Sequence, residues 1–140
     1  ALAEAWGWQG VEPTEVVNVN SFGNVIFLDK AGQYWRLCPE ELNCIPVASS
    51  AAEYEALLHD GEFIDDWAMS GLTEVAERQH GSQAADRCFC FKVPPVLGGD
   101  YDLPNIGTIG IHELIRFSGD IAHQIRDLPE GAQVQLKVVE

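Results

Sequence analysis

The residues of this 140-residue chain best suited to chemistry are His112-Glu113 with His123, Asp100 with Asp102, the pair Asp65-Asp66, and Cys88. Metal-assisted hydrolysis needs ligands that converge on one ion. His112 and His123 lie eleven residues apart, which on an ideal helix separates them by ~16 Å, too far to share a metal. Asp65 and Asp66 are adjacent, so on a helix their carboxylates diverge by about 100°. Asp100-Tyr101-Asp102 offers oxygen ligands of the kind divalent cations take, but one D-x-D in a Gly/Pro-rich loop arises readily by chance. Cys88 becomes a nucleophile only if the fold brings His80 or His123 beside it. The neighbouring Phe89, Phe91 and Val93 favour a buried, inert thiol instead. Gly98-Gly99 superficially resembles a phosphate cradle, yet the aspartates that follow repel phosphate. The chain has no Walker loop, no G-x-S-x-G elbow and no H-E-x-x-H pair. No catalytic, cofactor-binding or metal-binding residue is assigned.

Charge offers a different chemistry. Twenty-two Asp and Glu oppose eight Lys and Arg, a net charge of −14. Phosphate-directed binding to nucleic acid needs clustered cations, so it is excluded, and anionic membrane surfaces are disfavoured for the same reason. Such a field attracts cations, metal ions or a basic protein. The acid is concentrated: Glu53, Glu55, Asp60, Glu62, Asp65, Asp66, Glu74 and Glu77 share a span containing no Lys or Arg. Helical periodicity turns Tyr54, Leu57, Leu58, Phe63, Ile64 and Trp67 inward and leaves these carboxylates outward. That face suits a basic partner, whose association it can raise toward ~10⁸ M⁻¹ s⁻¹ at low salt. A merely solvated helix face has the same pattern.

The rest of the sequence specifies the elements that must position these groups. With 46% hydrophobic residues and four Trp, the chain has the composition of a folded globule. Its length fits one domain, residues 1–140. No segment approaches the ~18 apolar residues of a membrane span, and residues 1–10 lack the basic start of a secretory signal. Cys38, Cys44, Cys88 and Cys90 match no zinc-knuckle spacing and read as free, buried thiols in a reducing cytosol.

A short helix ends near Trp6 and Trp8. Strands follow at Val16–Val19, Val25–Leu28, Gln33–Leu37 and Cys44–Val47, the last at an edge where Pro46 is tolerated. Ser50 and Glu53 form a capping box opening a helix with Tyr54, Leu57 and Leu58 inward and Gly61 as its stop. A second helix carries Phe63, Ile64 and Trp67. Ser70 opens a third, with Leu72, Val75 and Ala76 inward and Gly81 ending it. Arg87–Val93 and Ile106–Ile111 are strands. A long helix from about His112 to Asp127 turns Leu114, Ile115, Ile121, Ile125 and Leu128 inward. Leu128–Gly131 is a turn, and Val134, Leu136 and Val138 alternate as a last strand. The expected class is α+β: a single domain of mainly antiparallel sheet, an N-terminal meander plus C-terminal strands, packed with about four helices.

Several of these stretches together resemble the immunity proteins of bacterial type VI secretion systems, in the family that neutralises DNase effectors. They are Ser21–Leu28 (SFGNVIFL), Gly32–Leu37 (GQYWRL), Phe63–Trp67 (FIDDW), Cys88–Tyr101 (CFCFKVPPVLGGDY), Phe117–Ile125 (FSGDIAHQI) and Asp127–Gly131 (DLPEG). The resemblance spans about residue 15 to the end, with the PPVLGGDY segment the most specific. It implies stoichiometric inhibition of a cognate toxin in the bacterial cytoplasm, with no catalysis and no cofactor. Phe22-Gly23 and Leu97-Gly98-Gly99 are expected to be fold-defining turns. Longer relatives can carry a further domain ahead of this region, for which this chain leaves little room.

A nuclease surface that grips DNA is basic, so an acidic inhibitor suits it. The expected partner is therefore a basic DNase domain, met through Asp60, Glu62, Asp65 and Asp66 and through Asp100, Tyr101 and Asp102. The alternatives are an immunity protein against a non-nuclease toxin, or a metal-dependent hydrolase or small-ligand protein using Asp100, Asp102 and a histidine.

Overall fold

In the computed structural model, which describes residues 2–126, two antiparallel sheets and five helices form an α+β fold. Strands β1 (Pro13–Val19), β2 (Val25–Asp29), β3 (Tyr34–Cys38) and β4 (Asn43–Ala48) make a meander in that order. Side chains fix its turns. Asn20 Oδ1 accepts from the Phe22 and Asn24 amides at 3.0 and 2.9 Å, and Gly23 supplies the left-handed residue (φ 71°). At the next hairpin Asp29 accepts from the Ala31 and Gln33 amides and from Trp35 Nε1. The indole bond is the main cause that holds the Asp29 carboxyl below its ordinary value.

β2 is buried on both faces. Strand side chains alternate, and Val25 and Phe27 enter one apolar cluster with Trp6, Leu37, Ile115 and Ile121. Ile26 enters another with Tyr34, Ala48 and Trp67. The sheet is therefore sandwiched between α1 (Leu2–Trp6) with α5 (Ile111–Ile125) on one side and the α2–α3 block, residues 51–68, on the other. A third cluster of Phe22, Ala76, Phe89, Phe91 and Ile106 joins the 20–24 turn to α4 (Ser70–His80) and to the hairpin of β5 (Arg87–Phe91) and β6 (Ile106–Gly110).

The helical block departs from the expected pattern in detail. Ser50 Oγ caps the Glu53 amide at 3.2 Å at the start of α2 (Ala51–Leu58), but the Glu53 carboxylate reaches back to Ser49 rather than Ser50. That is one residue earlier than the capping box predicts. Gly61 does not stop α2; it is the first residue of α3 (Gly61–Ala68). Asp60 forces this division by accepting from the Glu62 and Phe63 amides, the role of an N-cap. Leu58 and Val75, expected inward, are exposed: with α2 and α4 lying at the periphery, only part of each apolar stripe finds a neighbour. β5 ends at Phe91, two residues short of expectation, because Val93 pairs with the Asn105 side chain instead of a strand. Leu128–Gly131 and the expected strand at Val134–Val138 lie outside the described residues. No helix among the described residues is long and apolar enough to cross a membrane.

Candidate functional site

The site begins where β3 ends. Pro39 starts a single 3₁₀ turn, Pro39–Glu41, and Leu42 in the left-handed region (φ 52°) swings the chain into β4. This reversal sends Glu40 inward, only 7% exposed, and leaves Glu41 outward. A buried carboxylate must find donors. Asn24 Nδ2 donates to its two oxygens at 3.2 and 3.0 Å. Asn24 Oδ1 in turn accepts from Arg36 Nε and Nη2 at 3.2 and 3.0 Å. The remaining arm, Arg36 Nη1, donates to Asp66 Oδ2 at 2.6 Å. The guanidinium lies 5.2 Å from the centre of the Trp67 ring, a cation–π contact. A continuous polar chain, Glu40–Asn24–Arg36–Asp66, thus ties the meander to α3. Burial pushes the Glu40 carboxyl above its ordinary value, with its own backbone, Cys38, Asn24 and Arg36 pulling the other way.

A loop closes the opposite wall. After the 3₁₀ turn Pro95–Leu97, Gly98 takes φ 100°. A Cβ on Gly99 would collide with the Val93 carbonyl oxygen, so both glycines are required by backbone geometry. Asn105 staples the loop: its Oδ1 accepts from the Val93 amide, and its Nδ2 donates to the Val93 and Asp100 carbonyls at 2.9 and 2.8 Å. Tyr101 is thereby presented with its ring edge-on to Phe91, centroids 5.1 Å apart, and 53% exposed. Burial raises its phenol pKa, and the nearby carboxylates of Glu40, Glu41 and Asp66 raise it further.

Between these walls is a cleft of about 240 Å³. Arg36, Cys38 and Glu40 line it from the β3 end, and Glu41, Asn43 and Ile45 from the adjoining turn and β4. Asp66, Met69 and Tyr101 complete it. Asn43 Nδ2 donates to Glu41 at 3.3 Å, while Asn43 Oδ1 is buried with no donor among the described residues. Three carboxylates against one guanidinium make the cleft electronegative, and Ile45, 48% exposed, adds apolar surface. The Cys38 thiol is unreactive, since burial and the Glu40 charge push it far above its ordinary value. The arrangement is complementary in charge to a cation.

The expected interface residues divide. Asp66 and Tyr101 meet in the cleft. Asp60 is engaged in capping α3, Glu62 and Asp65 stand exposed on that helix, and Asp100 and Asp102 lie in the loop outside the cleft lining. Arg36, Glu40, Glu41 and Asn43 are cleft residues that sequence reasoning missed. One signal was available: Arg36 is the last Lys or Arg before Arg78, so any carboxylate folded against the sheet had few partners to choose from.

Elsewhere, His123 stacks on Trp8 with centroids 4.9 Å apart, and a ring nitrogen of His80 lies 3.1 Å from the Ile106 carbonyl oxygen. Burial pushes the Cys88 thiol up to about 12, which suppresses the thiolate a nucleophile needs. Among the described residues all four cysteines are free, and no three His, Cys, Asp or Glu side chains assemble as a metal site.

A family model described as "T6SS immunity protein Tdi1, C-terminal" matches residues 48–122, more than half of the chain. The match contains α2, α3, α4, the β5–β6 hairpin and most of α5, and with them Asp66, Met69 and Tyr101 of the cleft. Among curated proteins there is no match.

Proposed function

The chain belongs to the T6SS immunity protein Tdi1, C-terminal, family, and from that premise we propose that it binds a cognate DNase toxin of a type VI secretion system and inhibits it one-to-one, without turnover. Family membership carries the immunity role. The DNase identity of the target is supported by charge: a DNA-cutting enzyme must attract phosphate, and a chain of net charge −14 is complementary to such a surface. In this reading residues 1–140 act as one domain in the bacterial cytoplasm, where newly made toxin meets the producing cell's own chromosome. The proposed contact surface has two parts. Glu62, Asp65 and the start of α3 at Asp60 form an outer acidic face, and Asp66 and Tyr101 mark the cleft, with Asp100 and Asp102 flanking it in the loop.

The test mixes the purified protein with the nuclease encoded beside its gene and follows DNA cleavage. The expected result is loss of cleavage near equimolar protein and a single complex on size exclusion. Full cleavage at molar excess, with no complex, removes the DNase assignment.

A further inference from the structure

The cleft presents acceptors with few donors of their own. Glu40 is more than nine-tenths buried, yet its side-chain donors are the neutral Asn24 amide and the Cys38 thiol, and no cation among the described residues forms an ion pair with it. Glu41 receives one weak amide bond at 3.3 Å, and Asn43 Oδ1 is buried with no donor among the described residues. Arg36 makes no hydrogen bond to them; its Nε, Nη1 and Nη2 donate to Asn24 and Asp66. The cleft therefore favours a ligand that is cationic and rich in donors.

A compact metal ion fits poorly, because no three of these acids converge on a point. A guanidinium fits well: it is planar, permanently charged and carries five N–H donors spread over a fork. Ile45 and Met69 can cover the apolar stem of such a side chain. The exposed Tyr101 ring supplies a face for cation–π contact.

We propose that the cleft is the receptor for one arginine side chain of the toxin, drawn from the basic surface the toxin uses on DNA, with Glu40, Glu41 and Asn43 accepting its N–H groups and Tyr101 covering it. This rests on the immunity reading above and adds the residue chemistry of recognition. The outer acids of α3 then assist approach, while the cleft determines how long the complex lasts.

The test measures binding of the neighbouring-gene nuclease to the parent and to three variants by stopped-flow and calorimetry. The double variant Glu41→Gln/Asp66→Asn keeps hydrogen-bonding capacity at both positions and removes two charges at exposed sites. It is expected to weaken affinity about thirtyfold or more, chiefly through faster dissociation. Tyr101→Ala is expected to cost about tenfold. Glu15→Gln, on β1 at the far edge of the sheet from β4, is the control and is expected to stay within about twofold. Melting curves identify any variant that has lost its fold. On the toxin side, one arginine-to-lysine substitution is expected to be non-additive with Glu41→Gln in a double-mutant cycle. If the parent binds and inhibits while the double variant binds as tightly, or if no toxin arginine couples to the cleft, the receptor proposal falls and the immunity reading stands. If the parent neither binds nor inhibits, both fall together.

Discussion

The molecule carries two acidic regions that differ in almost everything except sign. On the outer side of α3 and α4, Glu62, Asp65 and Glu77 face water, and Glu74 makes only an exposed i,i+4 pair with Arg78. Charges of this kind contribute little to stability and are screened by salt. In the cleft, Glu40 is buried and Asp66 is held by an arginine whose side chain is only 12% exposed. There both carboxylates are tied to the backbone framework through Asn24 and Arg36. In the proposed reading total charge and placed charge do separate work: the first sets the rate of encounter, the second the strength and geometry of the complex.

Trp67 is the residue whose loss most severely erases this distinction, because it is the buried residue of α3 and lies against Arg36. Truncation to Ala is expected to cost ~3–5 kcal/mol in denaturant unfolding, since one side chain supports both the apolar cluster and the cleft wall. Arg36→Met is expected to cost ~1–3 kcal/mol, because Asn24 Oδ1 is left buried without a donor. Arg36→Lys should recover little of this, as an ammonium lacks the fork that reaches Asn24 and Asp66 together. A lysine variant as stable as the parent in urea would show that the fork is not the joint.

Glu40 sets the cleft apart from the outer face through pH. Its folded carboxyl titrates above the ordinary value because of burial, so between those two values the folded state binds a proton the unfolded state does not. Stability from this group therefore rises as pH falls through that window. Asp29, whose carboxyl is lowered first by the Trp35 bond, works in the opposite sense: its contribution is present above the ordinary value and lost as pH falls through its folded value. Glu40→Gln is expected to remove the first slope, leave the second, and melt no lower than the parent at neutral pH. Parallel melting-temperature curves for the two proteins across this range would contradict the assignment. The smallest effect is expected outside the cleft. Asp65→Lys should slow association with the toxin less than about tenfold at low salt and leave dissociation unchanged, the difference shrinking as salt is added.

Much of the fold was legible in the sequence because local chemistry agrees with it. Asp29-Lys30-Ala31-Gly32 is a turn by its residue types, Ser50 is a cap by its position before an apolar stripe, and α5 is marked by the helical spacing of Leu114, Ile115 and Ile121. What failed was local ambiguity between neighbours. Gly61 resembles a helix stop until Asp60 is seen to cap the following helix. Leu58 has the right period yet no partner to bury it. The family resemblance is supported by the match over residues 48–122. Asp66 and Tyr101, candidates by charge and by loop composition, both line the cleft. The cleft itself was not legible, because its walls come from residues 36–45, 66–69 and 101. Only the meander's closing turn and the stapled loop bring them together. Glu40 in particular reads as one more surface acid after a proline; nothing local to it indicates that the 3₁₀ turn faces inward.

At the 20–24 turn, Asn20 donates to the Trp67 carbonyl oxygen at 2.8 Å while its Oδ1 shapes the bend that places Asn24. One short segment thus stitches the sheet to α3 and anchors the hub of the polar chain. These bonds brace the recess before anything enters it. In the proposed reading, side chains already tied down surrender less freedom on association, so a small contact area gives a longer-lived complex.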